Sequence, residues 1–212
     1  MGRWLLKAFA WFFGISLVVS LIVYAVWLDV WTVPSDDVRL GPALAPNMNQ
    51  GDFLLVSRST GTKLGWLMRC PDPDAPGRWV VGRTIALAGQ NIVIEQDQVS
   101  IDGRRLTTPS SCSKTNVNVV NPANGEELKL YCHVEELGSQ YHEVLYLSKN
   151  TEGKHESNID PGKAFLVSDN RHIHLDSRDY GQVDPSTCQH IVFRLWSAQG
   201  WGDSSGRFTL LY

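Results

Sequence analysis

The sequence lacks an excess of charge of either sign. Its 19 Lys and Arg face 22 Asp and Glu, for a net charge of −3, which argues against electrostatic binding of nucleic acid. It has four cysteines but no C-x-x-C pair, the spacing that zinc ribbons and fingers require. No helical period recurs beyond the N-terminal region. Charge is also missing from Ala8 to Leu28, a stretch of 21 residues. As a helix it would be about 31 Å long, close to the hydrocarbon thickness of a bilayer.

That stretch reads as a transmembrane anchor contacting lipid over residues 8–28. Trp4, Trp27 and Trp31 stand near its two ends, where amphipathic rings favour the membrane–water interface. A cleaved signal peptide would have a shorter apolar run with a small-x-small site directly after it. Ala43-Leu44-Ala45 has that pattern but lies well beyond the run, with Pro46 behind it. Arg3 and Lys7 precede the anchor, and Asp29, Asp36 and Asp37 follow it. The positive-inside rule then puts the N-terminus in the cytoplasm and residues 33–212 outside. The cysteines suit an oxidising compartment. Cys112 and Cys132 are the expected pair because both lie in one polar segment; the partners of Cys70 and Cys188 stay open.

Past the anchor the pattern is mainly β. Phe53–Ser57, Arg78–Leu87, Ile92–Glu95, Gln98–Ile101, Ala164–Val167 and His190–Trp196 read as strands, with a tight turn at Asp102-Gly103. Residues 107–162 are rich in Ser, Asn, Lys and Glu, yet contain the strand-like runs Leu128–Tyr131 and Val144–Leu147. The expected organisation is an anchor over 1–32, a core over 33–106 and 163–212, and an inserted β subdomain over 107–162.

Four stretches carry a more specific message. Gly41-Pro42-Ala43-Leu44-Ala45-Pro46 runs on to Gly51-Asp52-Phe53; Trp79 to Gly89 includes Gly82-Arg83; Ser168-Asp169-Asn170-Arg171 is followed by Asp176-Ser177-Arg178-Asp179-Tyr180-Gly181. In this order behind an anchor they resemble the type I signal peptidases, membrane serine proteases that remove signal peptides. The resemblance implies a coiled β-sheet domain interrupted by a variable second subdomain. One departure is Ser168, where the family usually has glycine; His172 and His174 within the loop are others.

Where the family places its chemistry, this chain has none. Ala43 takes the position of the nucleophilic serine, and a methyl group has no lone pair. Gly82 takes the position of the general base, lysine in most members and histidine in the archaeal and eukaryotic branch. Gly41 replaces a residue that in many members is a serine donating to the oxyanion. The resemblance implies Leu44, Pro46, Val81 and Arg83 as peptide-binding positions. Asp169, Asn170, Arg171, Asp176, Ser177 and Arg178 form the loop beside the site, read here as structural support. His172 and His174 would need His190 or Asp176 to complete a metal site, and solvated loop histidines are the simpler reading. No metal or cofactor is expected.

The expected function is that of an inactive homologue on the bacterial cytoplasmic membrane, its main domain periplasmic or extracellular. It would bind an exported peptide or protein as a scaffold, since some family members without the dyad act in assembly of surface structures. The alternative is an active serine endopeptidase with a rebuilt site, for which Ser35 and Lys63 are the groups to test. A serine-to-alanine change made to trap a protease would account for Ala43 but not for Gly82 or Gly41.

Overall fold

A computed structural model describes residues 2–148, 153–204 and 206–211. Helix α1 (Gly2–Trp27) gives way directly to strand β1 (Leu28–Thr32). The uncharged stretch therefore does not stay helical to its end: Leu28 already pairs with Ser57. Leu6–Trp27 is long and apolar enough to cross a membrane, and its described side chains are exposed, Phe12 and Leu17 among them. A lone helix showing apolar groups on every side has no protein surface to bury them against.

A short helix, α2 (Leu40–Leu44), precedes β2 (Phe53–Thr60), β3 (Leu67–Pro71) and β4 (Trp79–Leu87). Further along come β5 (Asn91–Glu95), β6 (Gln98–Ile101), β7 (Arg104–Arg105), β8 (Thr107–Val120), β9 (Glu127–Leu137) and β10 (Gln140–Tyr146). The chain ends with β11 (His155–Asn158), β12 (Ala164–Val167), helix α3 (Ser177–Tyr180), β13 (Gln189–Trp196) and β14 (Thr209–Leu210). The main sheet has the order β1-β2-β13-β3-β4-β12, with β14 alongside β13. β5, β6, β7 and β11 form a second sheet, and β8, β9 and β10 a third. The main and second sheets thus draw strands from both sides of the β8–β10 segment, and β11 returns to pair with β5.

Burial explains the strand patterns. β4 is buried from Val80 to Ala86 and β12 along its whole length, the continuous pattern of strands covered on both faces. β8 is exposed over most of its length, as a polar edge strand should be. The turn joining β5 to β6 is Gln96-Asp97, both at positive φ; Asp102-Gly103, also at positive φ, joins β6 to β7. Two disulfides are present: Cys112–Cys132 within the third sheet, and Cys70–Cys188 between β3 and the turn before β13.

Among the described residues, four apolar clusters hold these parts together. One lies under α2 and contains Ala43, Leu44, Met48, Leu54, Leu67, Val81, Leu175 and Leu211. A second joins β4 and β12 to the second sheet through Ile85, Ile92, Val99 and Phe165. A third centres on the Cys112–Cys132 bridge with Leu130, Leu145 and Ile173, and takes in Ala45. The fourth surrounds the other disulfide, with Met68, Val80 and Leu166.

Candidate functional site

The segment from Gly41 to Asp52 is held by local rules. Gly51 has φ of +81°, a conformation that favours glycine. Asp52 beside it is fully buried. Its carboxylate accepts from the backbone N–H groups of Asn49 (3.0 Å) and Ala198 (3.1 Å) and from Arg194 Nη1 (3.2 Å). The Gly-Asp pair is therefore a turn and its brace, tying the segment after α2 to β13 and the residues just past it.

Ala43 is completely buried. Its side chain belongs to the apolar cluster under α2, its N–H donates to Arg39 O (3.2 Å), and its carbonyl accepts from Asn170 N (3.1 Å). Every polar group of the residue is thereby occupied, and the side chain has no nucleophilic atom. Asn170 also donates through Nδ2 to Pro42 O (2.9 Å). Leu44 lies in the same cluster, while Ala45 docks into the third sheet. At Gly41 an added Cβ would sit 2.7 Å from Gln50 Cγ. The Gln50 amide is in turn bonded to Asp37 O, so Gln50 occupies the space a serine would need.

Gly82 lies on β4, opposite Met68 of β3. A Cβ there would fall 3.0 Å from Leu166 Cβ and 3.3 Å from Val167 O. α2 packs against β4, and Ala43 and Val81 belong to the same apolar cluster. A lysine stem leaving Gly82 would begin against β12, and Leu166 would have to shift to admit it. Among the implied binding positions, Leu44 and Val81 are buried in the core, whereas Pro46 and Arg83 border a cavity of about 390 Å3.

Arg83 anchors the charged loop. Its Nε and Nη2 each lie 2.9 Å from an Asp169 carboxylate oxygen, and Nη1 donates to Gly65 O (2.7 Å). Such a two-pronged pair is the strong form of a charged hydrogen bond. Burial would raise the Asp169 pKa, but Arg83, with His142 and Arg171 behind it, leaves the carboxyl below its ordinary value. Asp169 also accepts from Asn47 Nδ2 (2.7 Å). Asp176 caps α3, accepts from Ser168 N (2.8 Å), and pairs with Arg178. Burial opposes its charge, but Arg178 holds its pKa at about 2. Ser168 accepts through Oγ from Leu175 N (3.1 Å), and Ser177 Oγ from Leu166 N (3.0 Å). Ser168 at the usual glycine position is thus built into the loop.

Three residues of the third sheet complete this network, and no motif marked them. Glu135 on β9 is buried and pairs with Arg171. It also accepts from Tyr146 Oη (2.8 Å) and lies 3.2 Å from His142 Nε2 on β10. Burial works against its charge; Arg171, helped by His142 and Tyr146, brings its pKa down to about 2. Burial, then Arg83, keeps the His142 pKa below its ordinary value. His142 Nε2 thus approaches Glu135 Oε2 at 3.2 Å without hydrogen-bond alignment. Only the folded pairing of β9 and β10 with the loop reveals these partners, which precede Arg171 by 25 or more residues along the chain.

The remaining sequence candidates have other neighbours. His174 meets Asp179 (2.8 Å) and Asp176 (4.0 Å) rather than His172 or His190. His190 stacks on Trp66 with ring centroids 4.1 Å apart. Burial, then Arg83 and Lys63, lowers its pKa to about 4. Lys63 Nζ lies 5.0 Å over the Trp66 ring, and Ser35 is exposed in the loop ahead of α2.

The family described as signal peptidase, peptidase S26, matches residues 6–196. A crystal structure of a signal peptidase I from Enterococcus faecalis V583 is similar at 19% identity over 63% of this chain and 98% of that one, with a TM-score of 0.38. No curated protein sequence matches the chain. With the family match covering most of its length, the chain belongs to the signal peptidase family, peptidase S26.

Proposed function

We propose that this protein is a catalytically inactive member of its family that holds an exported peptide or protein, rather than cutting it. The observation that carries this reading is the state of Ala43: a buried methyl whose backbone N–H and C=O are both engaged. Acyl transfer needs a nucleophile beside a base and free donors for the developing oxyanion. Here the first group is a methyl, the second a glycine packed on Leu166, and the N–H of residue 43 is bonded within α2. The sheets and the charged loop persist without them, and a family frame built to meet extended peptides can keep that use after its chemistry is lost.

The protein is anchored by α1 in the bacterial cytoplasmic membrane, with residues 33–212 outside. Arg3 and Lys7 on the N-terminal flank support that orientation, and the two disulfides suit an oxidising compartment. The partner is an exported chain within a membrane or surface assembly. Crosslinking in intact membranes followed by mass spectrometry tests this: the expected result is uncut exported polypeptide joined to residues 33–212. Recovery of cytoplasmic proteins alone, or of cleaved products, contradicts it.

A further inference from the structure

The Ala43 corner is filled, so a held peptide must dock elsewhere. A cavity of about 390 Å3 lies between the third sheet and the C-terminal strand, bordered by Pro46, Val134, Tyr141, Glu143, Arg194 and Leu210. Along β10 the backbone directions are fixed by three bonds. Leu145 N donates to Asp169 O (2.9 Å), Leu145 O accepts from Arg171 N (2.9 Å), and Glu143 O accepts from Asn47 Nδ2 (2.7 Å). These groups point away from β9, although β10 pairs with β9 in unbroken register from Gln140 to Tyr146. Antiparallel alternation gives every second residue the same outward direction. The N–H and C=O of Tyr141 and the N–H of Glu143 therefore face outward at the cavity, and no partner is found for them among the described residues. Unpaired edge groups of this kind are a template for another strand.

The chemistry of the seam selects the occupant. Pro46, Val134 and Leu210 offer apolar contact. Arg194 is paired with Asp52, and Arg83 with Asp169. Glu136 and Glu143 share the face of the β9–β10 pair that carries Val134 and Tyr141. Neither makes an ion pair with a cation among the described residues. The rim is thus acidic over an apolar floor. Resting on the peptide-holding reading above, we infer that the outward edge of β10 at Tyr141 and Glu143 takes an extended peptide as an added strand. The peptide would bear apolar side chains with a lysine or arginine among them.

The test uses the full chain in nanodiscs and a pool of acetylated, amidated nonapeptides alternating Val or Leu with Lys or Ser. Tyr141→Pro removes one outward N–H and leaves the β9 ladder intact, because an edge proline is tolerated where the N–H faces out. Loss of that hydrogen bond should weaken retention by roughly two- to tenfold. N-methylation of the peptide should weaken it at alternate positions only. Glu143→Lys should shift preference from Lys-bearing to Ser-bearing members, and its native disulfides and melting curve would show that it folds. Retention unaffected by Tyr141→Pro and by N-methyl parity would overturn docking on β10 while leaving peptide holding intact. No retention by the unaltered protein would overturn both.

Discussion

Ala43 and Asp169 are neighbours through the bond from Asn170 N to Ala43 O, yet their surroundings have opposite chemistry. The α2 corner is apolar and full: a methyl at 43, glycines at 41 and 82, and Gln50 and Leu166 in the space larger side chains would need. The loop beside it is charged throughout, with Arg83, Asp169, Arg171, Asp176 and Arg178 buried or nearly so and joined to Glu135. The difference separates groups that do chemistry from groups that hold the frame. Removing a nucleophile leaves no partner stranded, whereas removing one member of a buried ion pair leaves the other uncompensated. The pairing within the loop therefore does not depend on a nucleophile at residue 43.

The comparison breaks first if the loop proves dispensable. Arg171→Met strands the Glu135 carboxylate and should cost about 3–5 kcal/mol in denaturant unfolding. Adding Glu135→Gln should recover much of that loss. A single-variant cost below about 1 kcal/mol would mean the network does not brace the fold.

Acid sharpens the same contrast. Glu135 has a folded pKa of about 2 against an ordinary 4.5. Its contribution, on the order of 3 kcal/mol, is complete above pH 4.5 and lost as pH falls toward 2. His142 and His190 also have lowered values. In the unfolded chain they bind protons from about pH 6.5 downward, so stability should begin to fall there and decline further toward pH 4. Melting curves between pH 7 and 3 check this, and a flat profile down to pH 4 would contradict it.

Ala43→Ser places a hydroxyl in an apolar cluster and should cost about 1–3 kcal/mol if no partner is found. It should yield no cleavage, since Gly82 still supplies no base. Unchanged stability with new activity would show that the corner is open rather than filled. Smallest is Lys63→Ala, which removes a cation over Trp66 and should cost no more than about 1 kcal/mol.

Much of this was legible along the chain because it is local. Asp176 pairs with Arg178 two residues on, and Gly51 precedes the buried Asp52. The β12 and β13 runs showed as apolar strands for the same reason. Other features hid behind competing patterns. β1 continues the anchor's apolar run, so Leu28 reads as membrane until its pairing with Ser57 is seen. α2 contains Gly41-Pro42, residues that usually punctuate rather than build helices. Asp102-Gly103 is a tight turn but serves β6 and β7, while Gln96-Asp97 closes the β5–β6 hairpin without a glycine. Glu135 and His142 were invisible as site neighbours because their partners are distant in sequence.

The central claim is that the frame of a peptidase remains without its chemistry. Incubation of the full chain in nanodiscs with a preprotein, followed by intact-mass measurement, tests it most directly. The account predicts a substrate mass unchanged from that in empty nanodiscs. Turnover at a single bond that disappears with Ser35→Ala or Lys63→Ala would contradict it and show a rebuilt active site.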